Sequence, residues 1–460
     1  MITNESRRLR LCDLSGEKSL GSAIDSILGI ESLRWYLSHV DGVDLVVQST
    51  HLNEGYGERQ GRALCTAAVN TTSVAVNVIP TGVGCQIGGY AGDAAPVTQL
   101  LSLAVDHLIT NPNAVNASNF INISKNTLYV DGFALDLFCK GLTHLHIPRQ
   151  NRIGVILDCS SSEAIDRAYN IVNSVRAVHG IDVSGIAVTD EPIGGRCVRN
   201  DAGAYTGTVD NLDAVYKSCD RLIAEGASAI AVASDIMDLP KSSYTNHFGG
   251  VEPNPVGGVE AVISYAIRRR YGVPVAHAPL TNFRDFGALG VVDARAAGEY
   301  ASQSGLACVL VGLNRSPHLC GTGMQDSCVI GRKSVVAAIH PFGCLGGIPA
   351  LFLYAAGIPL LAVRQNGSIL HVNKESLGLD SVIETETYAE AAGLLLALRG
   401  GIAVESIRRP LRTFRPKVGH FESRLVTGYG QQDHSAVGSN MGPGYRSDET
   451  VVALEIQNTV

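Results

Sequence analysis

The stretch of this chain that most constrains the fold is residues 74–97. It opens with a short β-branched run, residues 74–80, which predicts a buried strand. A loop with five glycines follows, and over residues 96–109 apolar residues recur at helical spacing behind a proline that a first helical turn tolerates. This order of strand, glycine-rich loop and helix exposes backbone N–H groups that attract anions. We therefore interpret residues 81–93 as one wall of a small-molecule site.

Beyond residue 151 the chain alternates apolar, strand-like runs with amphipathic stretches, and the short run 307–312 also fits a strand. Such alternation is typical of βαβ units and of a parallel sheet with helices on its faces. We predict an α/β fold in which parallel or mixed sheets are flanked by helices, arranged in two lobes. The predicted division is an N-terminal lobe with the glycine-rich loop, a C-terminal lobe, and a polar tail or arm, at residues 1–150, 151–411 and 412–460.

Charge and hydropathy exclude several classes of protein. The formal net charge of −7 and the absence of a long basic run argue against a nucleic-acid partner. No apolar stretch reaches the roughly 18–20 residues that a membrane span needs, and the first residues lack the apolar core of a signal peptide. The sequence therefore predicts a cytoplasmic protein that binds a small molecule and no membrane. The polar tail is either exposed or a contact in a homodimer.

Two helical stretches repeat one pattern. Residues 257–266 and 346–355 each begin with Gly-Gly and an aliphatic residue, end with Tyr-Ala, and precede a Gly-aliphatic-Pro strand start. One explanation is that glycine at a helix end and proline at a strand start are common in αβ units. The other is a duplicated half in which the two Gly-Gly helix starts face one cleft.

Several short motifs carry a family resemblance. The most specific is Gly-Gly-Tyr-Ala-Gly-Asp at residues 88–93, and the others lie at residues 78–84, 108–113, 149–155, 276–279 and 309–313. Together they resemble an uncharacterised bacterial and plant-type family that is labelled only as a domain of unknown function. The resemblance covers residues 74–410 and implies no particular activity, because the family has none established.

The glycine-rich loop belongs to neither common nucleotide motif. No Gly-Lys-Ser/Thr follows as in a Walker A loop, and no third glycine stands in register after Gly84 as in a dinucleotide fingerprint, so we predict no cofactor. The loop is either a set of tight turns or a cradle for a carboxylate or phosphate, with these candidate substrate-binding residues: Thr81, Gly82, Gly84, Gly88, Gly89, Tyr90 and Gly92. Asp93 either caps the following helix or acts as a metal ligand or general base.

Four further polar residues are candidates for substrate binding. Asn111 and Asn113 follow a presumed strand end, where ligands of open α/β sheets gather, although an Asx turn explains them as well. Glu260 lies in the first turn of a Gly-Gly helix, where it is either a site residue or a favourable contact with the helix dipole. Arg364 follows a strand and is placed to clamp a substrate carboxylate.

Two histidines end strands in the two Gly-Gly units. His277 and His340 are each flanked by small residues, and an imidazole that titrates near neutral pH is a candidate general acid or base. The competing interpretation is a pair of hydrogen-bonded core histidines. Their matching positions in two similar units are the main argument for catalysis.

The cysteines and histidines of residues 318–344 form a loose cluster of His318, Cys320, Cys328, His340 and Cys344. Their spacing is not a standard zinc pattern, so we predict no metal. Cys344 is a candidate nucleophile, because a position at a helix start lowers the pKa of a thiol.

These observations favour an enzyme that transfers protons on a small polar or anionic metabolite in a cleft between the lobes. A lyase, isomerase or hydrolase fits better than a redox enzyme, with Asp93, His277 or His340 moving the proton. One alternative is a non-catalytic metabolite-binding or regulatory protein, and another is a zinc-dependent hydrolase. The long polar segment at residues 234–255 is expected to cover the site or to carry function, because plain connections are shorter than about 12–15 residues.

Overall fold

A computed structural model of the chain describes residues 2–14, 19–52, 72–110, 116–117, 120–121, 123–237, 241–280, 289–302, 304–324 and 326–414. Met1–Arg409 form one compact unit, and Pro410–Val460 form a second unit that lies almost entirely outside the described residues. The site, the sheets and the helices discussed below all belong to the first unit. The division into two lobes at residue 150 stays a prediction.

The described residues form twenty-one strands and thirteen α-helices in an alternating order. The strands are β1 Ile2–Arg10, β2 Ser32–Asp41, β3 Asp44–Leu52, β4 Val74–Asn77, β5 His107–Thr110, β6 Asn116–Ala117, β7 Phe120–Ile121, β8 Thr127–Tyr129, β9 His144–His146, β10 Ile153–Leu157, β11 Val183–Val188, β12 Gly195–Arg199, β13 Tyr205–Val209, β14 Ala229–Ser234, β15 Ile236–Met237, β16 Val275–Pro279, β17 His318–Cys320, β18 Val329–Ile330, β19 Val335–Pro341, β20 Leu360–Val363 and β21 Ile383–Thr385. The helices are α1 Leu20–Leu28, α2 Ala95–Ser102, α3 Gly132–Lys140, α4 Ser162–His179, α5 Leu212–Ala224, α6 Lys241–Phe248, α7 Gly257–Tyr271, α8 Ala297–Ala301, α9 Leu306–Leu313, α10 Ile348–Ala355, α11 Lys374–Leu377, α12 Tyr388–Arg399 and α13 Val404–Ile407.

A six-stranded parallel sheet has the order β21-β20-β19-β4-β5-β8. All four residues of β4 are buried, because the strand lies in the middle of the sheet and helices cover both faces. On one face α2 and α12 cover the sheet through residues such as Leu101 and Leu395. On the other face α3 and α10 do so through residues such as Phe138 and Leu353.

A second, four-stranded parallel sheet has the order β11-β10-β14-β16. Helices α5 and α7 pack on one face around Ile230 and Ile263, and α4 and α9 pack on the other around Val155 and Val309. Both sheets therefore agree with the predicted α/β class, since each is parallel and sandwiched between helices.

An antiparallel sheet of β1, β3 and β2 precedes the glycine-rich loop along the chain. Its apolar face, which includes Trp35 and Leu37, packs with α1 and α10. The strand β2 also meets the second Gly-Gly segment, because the Leu37 N–H donates to the Gly346 carbonyl at 3.0 Å and Tyr36 forms an antiparallel bridge with Gly347.

Two sequence-based element predictions were wrong. The helix predicted over residues 96–109 ends at Ser102, and His107–Thr110 is the strand β5 between β4 and β8, because pairing in the sheet overrides a local helical pattern. The run at 307–312 belongs to helix α9 and not to a strand. A short, wholly apolar run carries no period that separates a buried strand from a buried helix. Among the described residues, every helix is too short or too polar to cross a membrane.

Candidate functional site

A cavity beside the glycine-rich loop has a volume of about 260 Å³. Its walls include residues at or after the carboxyl ends of β4, β8 and β19 in the six-stranded sheet and of β16 in the four-stranded sheet. Carboxyl ends of parallel strands are where open α/β sheets bind ligands. Both Gly-Gly helix starts also line it, through Gly257 and through Gly346 and Gly347. The duplication of these units stays a hypothesis.

Ten of the candidate residues named from the sequence line this one cavity: Thr81, Gly82, Gly84, Gly88, Gly89, Tyr90, Glu260, His277, His340 and Cys344. Three do not line it. Gly92 and Asp93 belong to the loop but do not line the cavity, and Arg364 pairs with Glu384 while its guanidinium stacks on the Phe342 ring. Asn111 and Asn113 lie outside the described residues.

The glycine-rich loop uses glycine for close approach and for left-handed turns. Gly82 has φ +76°, and a side chain there would strike the Tyr205 carbonyl at 2.6 Å. Gly88 has φ +90°, and a side chain there would collide with Ile79. Both turns bring the backbone onto the cavity wall, which explains the glycines without any ligand.

The second half of the loop is already occupied by the protein's own carboxylates. The Gly88 and Tyr90 N–H groups donate to Asp93 Oδ1 at 2.8 and 3.4 Å, and the Ala91 N–H donates to Glu299 Oε2 at 2.7 Å. These carboxylates take the place that a bound anion was expected to take. In the first half, the Gly82 and Gly84 N–H groups have no protein acceptor among the described residues.

Asp93 stabilises the loop rather than the helix after it. Helix α2 has no side-chain N-cap, since Ala94 occupies that position, so the capping interpretation of Asp93 is wrong. Burial is the main cause that raises the pKa of the Asp93 carboxyl to about 7, while hydrogen bonds from Tyr90 and Gly88 oppose the rise. Asp93 remains a titrating group near the site without lining it, and its role as a general base stays a prediction.

A second buried carboxylate orients the loop from outside. Besides Ala91, Glu299 accepts a hydrogen bond from Asn254 Nδ2 at 3.2 Å and lies 3.4 Å from His247 Nε2. The Tyr90 ring stacks on the His247 ring with 4.6 Å between centroids. His247 and Asn254 come from the long polar segment 234–255, which therefore packs against the site, although the sequence did not single out either residue.

One face of helix α7 lines the cavity. Gly257, Glu260, Ala261, Ser264 and Tyr265 all face it, at the three- and four-residue spacing that places side chains on one side of a helix. Glu260 is 2% exposed, and its Oε1 atom has no hydrogen-bond partner among the described residues. Burial first, and the charge of Glu299 second, raise the pKa of Glu260 to about 8. This carboxyl therefore holds a proton at neutral pH.

The two predicted histidines line the same cavity in the neutral form. Burial lowers the pKa of both rings to about 3, with a further contribution from the charge of Arg34 at His277. Ser264 Oγ lies 2.7 Å from His277 Nδ1 and fixes that ring. His340 is 1% exposed, and neither of its ring nitrogens has a hydrogen-bond partner among the described residues.

Three more lining residues were not among the candidates named from the sequence: Asp136, Tyr265 and Arg34. Burial raises the pKa of the Asp136 carboxyl to about 7, and Asp136 Oδ2 accepts a hydrogen bond from the Tyr265 hydroxyl at 3.1 Å. Arg34 of β2 brings a guanidinium to the cavity wall. The Gly257–Tyr271 helix offered a signal for Tyr265 through its spacing, whereas nothing in the local sequence distinguished Asp136 or Arg34.

Cys344 lies against a second thiol at the cavity wall. Hydrogen bonding from the Cys85 thiol lowers the pKa of Cys344, burial opposes it, and Ser368 Oγ lies 3.2 Å from Cys344 Sγ. The hydrogen bond to Cys344, together with burial, raises the pKa of the Cys85 thiol. The role of Cys344 as a nucleophile stays a prediction.

The loose cysteine and histidine cluster is divided between two places. His318 and Cys320 lie on β17, where His318 Nε2 is 2.7 Å from Asn151 Oδ1, whereas His340 and Cys344 line the cavity. In the part of the chain that the structure describes, no three His, Cys, Asp or Glu side chains converge as a metal-binding group. The zinc-dependent hydrolase stays an untested alternative.

Comparison with known proteins gives a family but no activity. The chain is 36% identical, over 329 residues, to an uncharacterised lipoprotein of a Synechococcus strain, which corresponds to 71% of this chain and 91% of that relative. No solved structure matches the chain. The relative's description as a lipoprotein contradicts the cytoplasmic location predicted from the sequence, and that prediction is wrong. Residues 74–408 match the profile of a family described as protein of unknown function (DUF3326), so the family resemblance is confirmed and the chain belongs to this family.

Proposed function

We propose that the protein is an enzyme that binds a small polar or anionic metabolite in the 260 Å³ cavity and transfers a proton to or from it. The observation that carries the proposal is the set of polar atoms left unpartnered in that cavity. Glu260 Oε1 and both His340 nitrogens are buried and lack partners among the described residues. A buried polar group without a hydrogen bond costs about 1–3 kcal/mol, so a ligand that supplies the partners accounts for their presence.

The chemistry of the lining residues favours Glu260 as the proton-transfer residue. An acid or base works best when its pKa lies near the operating pH. The pKa values of Glu260, about 8, and of Asp136, about 7, meet this condition, whereas those of His277 and His340, about 3, do not. Of the two carboxyls, Glu260 is preferred because its Oε1 atom has no partner among the described residues, whereas Asp136 Oδ2 accepts a hydrogen bond from Tyr265. In the proposed reaction the Glu260 carboxyl donates its proton to a substrate atom that gains an electron pair, and the carboxylate that remains accepts a proton later in the cycle. The neutral imidazoles orient the substrate by hydrogen bonds.

A lyase, isomerase or hydrolase reaction agrees with this arrangement, since each needs a proton to be moved between substrate atoms or from water. A metabolite-binding protein without turnover needs the same cavity and the same unpartnered atoms. Carboxyl groups whose pKa lies near neutrality are, however, concentrated at catalytic sites. The raised pKa of Glu260 is therefore the reason to prefer an enzyme.

The test begins with a panel of small carboxylates, amides and polyols, screened against the purified chain by thermal shift. Each compound that binds is then incubated with the protein in deuterium oxide, and ¹H NMR follows loss of C–H signals or formation of a product. We expect wild type to exchange or convert at least one bound compound. Glu260→Gln should lose this activity, while its Kd stays within about threefold of wild type.

Arg364→Gln is the matched control, because Arg364 lies outside the cavity and should leave the activity unchanged. Binding without exchange or conversion by wild type overturns the enzymatic part of the proposal and leaves a binding protein. If no compound of the panel binds, the whole proposal is overturned.

A further inference from the structure

A segment outside the family match forms part of the cavity wall. The family profile begins to match at residue 74, whereas residues 34–37 of β2 line the cavity. The pairing of Leu37 and Tyr36 with the Gly346-Gly347 segment joins this strand to the start of α10. The antiparallel N-terminal sheet is therefore built into the site.

Arg34 reaches the cavity from that sheet and is held by neutral oxygens. Its Nη2 donates to Thr206 Oγ1 at 2.9 Å and to the Gly258 carbonyl at 3.4 Å, and its Nε donates to Thr50 Oγ1 at 3.4 Å. Within the described part of the chain, no carboxylate pairs with this guanidinium. Among these residues Nη1 has no hydrogen-bond acceptor, which leaves its two N–H groups for a ligand.

The neutral partners of Arg34 are themselves fixed. Asn4 Oδ1 accepts hydrogen bonds from Thr50 Oγ1 at 2.9 Å and from Thr206 Oγ1 at 3.2 Å, and Asn4 Nδ2 donates to the Gly207 carbonyl at 2.9 Å. This network ties β1 and β3 to β13 around the guanidinium. Because the group is oriented in advance, a ligand that binds it spends little conformational entropy on ordering it.

Arg34 also supplies the permanent positive charge of the cavity. It is the only lysine or arginine among the described residues that line it. Its positive charge helps to lower the pKa of the His277 ring, and it also acts to lower the pKa of the Asp136 carboxyl. A single fixed cation that is hydrogen-bonded only to neutral oxygens matches a ligand with one negative charge.

We propose that Arg34 binds the carboxylate of the substrate, so that the N-terminal sheet selects a small monocarboxylate for the proton-transfer site. This inference rests on the proposed function and names its substrate class. A guanidinium and a carboxylate form charge-assisted hydrogen bonds, which are shorter and stronger than neutral ones. The glycine-rich loop then has the secondary part of shaping the cavity, because Asp93 and Glu299 occupy the amides of its second half.

The probes are unbranched monocarboxylates of three to six carbons and their primary amides, beginning with propionate and propionamide. We expect wild type to bind the carboxylate of at least one pair more tightly than the amide. The Arg34 side-chain Nε–H resonance should move with the carboxylate and not with the amide. This NMR measurement uses wild type, with the signal assigned by its loss in Arg34→Lys, so it does not depend on a variant that folds poorly.

Arg34→Met should weaken carboxylate binding by roughly 30-fold or more and abolish the preference over the amide, because the paired charge is lost. Arg34→Lys keeps the charge without the planar fork, so we expect an intermediate loss. Arg8→Met is the control, since Arg8 is an exposed residue of β1 in the same sheet, outside the cavity. It should bind like wild type.

The outcomes separate this inference from the proposed function. The role of Arg34 is overturned if Arg34→Met keeps the preference for the carboxylate, or if the Arg34 Nε–H resonance of wild type does not shift when the carboxylate binds. The Glu260 experiment then decides the function. Binding of the amides alone overturns the substrate class only. If no compound of either kind binds wild type, this inference is overturned, and the wider panel described above decides the proposed function by itself.

Discussion

Glu260→Gln should make the folded protein more stable at pH 8 but not at pH 4. In the unfolded chain the Glu260 carboxyl titrates near 4.5, and in the folded protein burial and the charge of Glu299 raise its pKa to about 8. Between these values the folded state keeps a proton that the unfolded state releases. Because the unfolded state binds fewer protons, stability falls as the pH rises through this window. Glutamine does not ionise, so the variant escapes this loss.

The size of the effect follows from the gap between the two pKa values. From 4.5 to about 8, at about 1.36 kcal/mol for each pKa unit, the penalty on wild type reaches about 5 kcal/mol. About two thirds of it is already present at pH 7. A residue whose removal stabilises the fold is expected where function requires a buried, titrating group.

The assay is urea unfolding of wild type and Glu260→Gln at pH 4, 5, 6, 7 and 8. Asp93 and Asp136 titrate in both proteins, so only the difference between the two curves reports on Glu260. Glu405→Gln, a change at an exposed residue of α13, should give a curve parallel to wild type. Parallel curves for wild type and Glu260→Gln from pH 4 to 8 would refute the raised pKa, and with it Glu260 as a proton donor at neutral pH.

Three further predictions concern other residues in and around the site. His340→Phe should keep or raise Tm by removing two unpartnered nitrogens that cost about 1–3 kcal/mol each, while ligand binding weakens; a fall in Tm of several degrees would show that the ring is structurally required. Gly258→Ala should destabilise the protein by about 1–3 kcal/mol in urea unfolding, because the new methyl group would collide with the Tyr205 carbonyl. Gly347→Ala, whose methyl group meets only Pro349 Cδ at 3.7 Å, should cost less, and equal losses would contradict the packing argument. Arg364→Gln should leave the Kd for any bound carboxylate, measured by isothermal titration calorimetry, unchanged, because Arg364 pairs with Glu384 outside the cavity. A tenfold loss of affinity would show that Arg364 contributes to the site after all.

Much of the fold was predictable because parallel sheets leave a strong local signal. Strands buried on both faces are continuous apolar runs, as in β4 and β10, and they alternate with helices of mixed polarity. The errors fell where a local pattern fits two structures. His107–Thr110 continues a helical period yet pairs in the sheet, and Leu306–Leu313 is apolar throughout, so neither length nor period decided the element.

The site was predictable where one rule of topology places residues. His277 and His340 were chosen because they end parallel strands, and both line the cavity at the carboxyl ends of β16 and β19. Glu260 was found because it follows a Gly-Gly helix start. Arg364 also follows a strand, but β20 is separated from the cavity by β19, and the same rule therefore misplaced it.

The sequence by itself determined the α/β class, the turns of the glycine-rich loop and the strand-end positions of the two histidines, because each depends on neighbours a few residues away. Only the tertiary structure decided the charges. Leu33, Trp35 and Leu37 alternate with Arg34 and Tyr36, a pattern typical of a strand with one solvent face, yet that face closes the cavity against α7 and β13. The protonation states of the two imidazoles and of Glu260 have one cause, because burial by segments distant in sequence sets their pKa values. No local sequence pattern encodes burial of that kind.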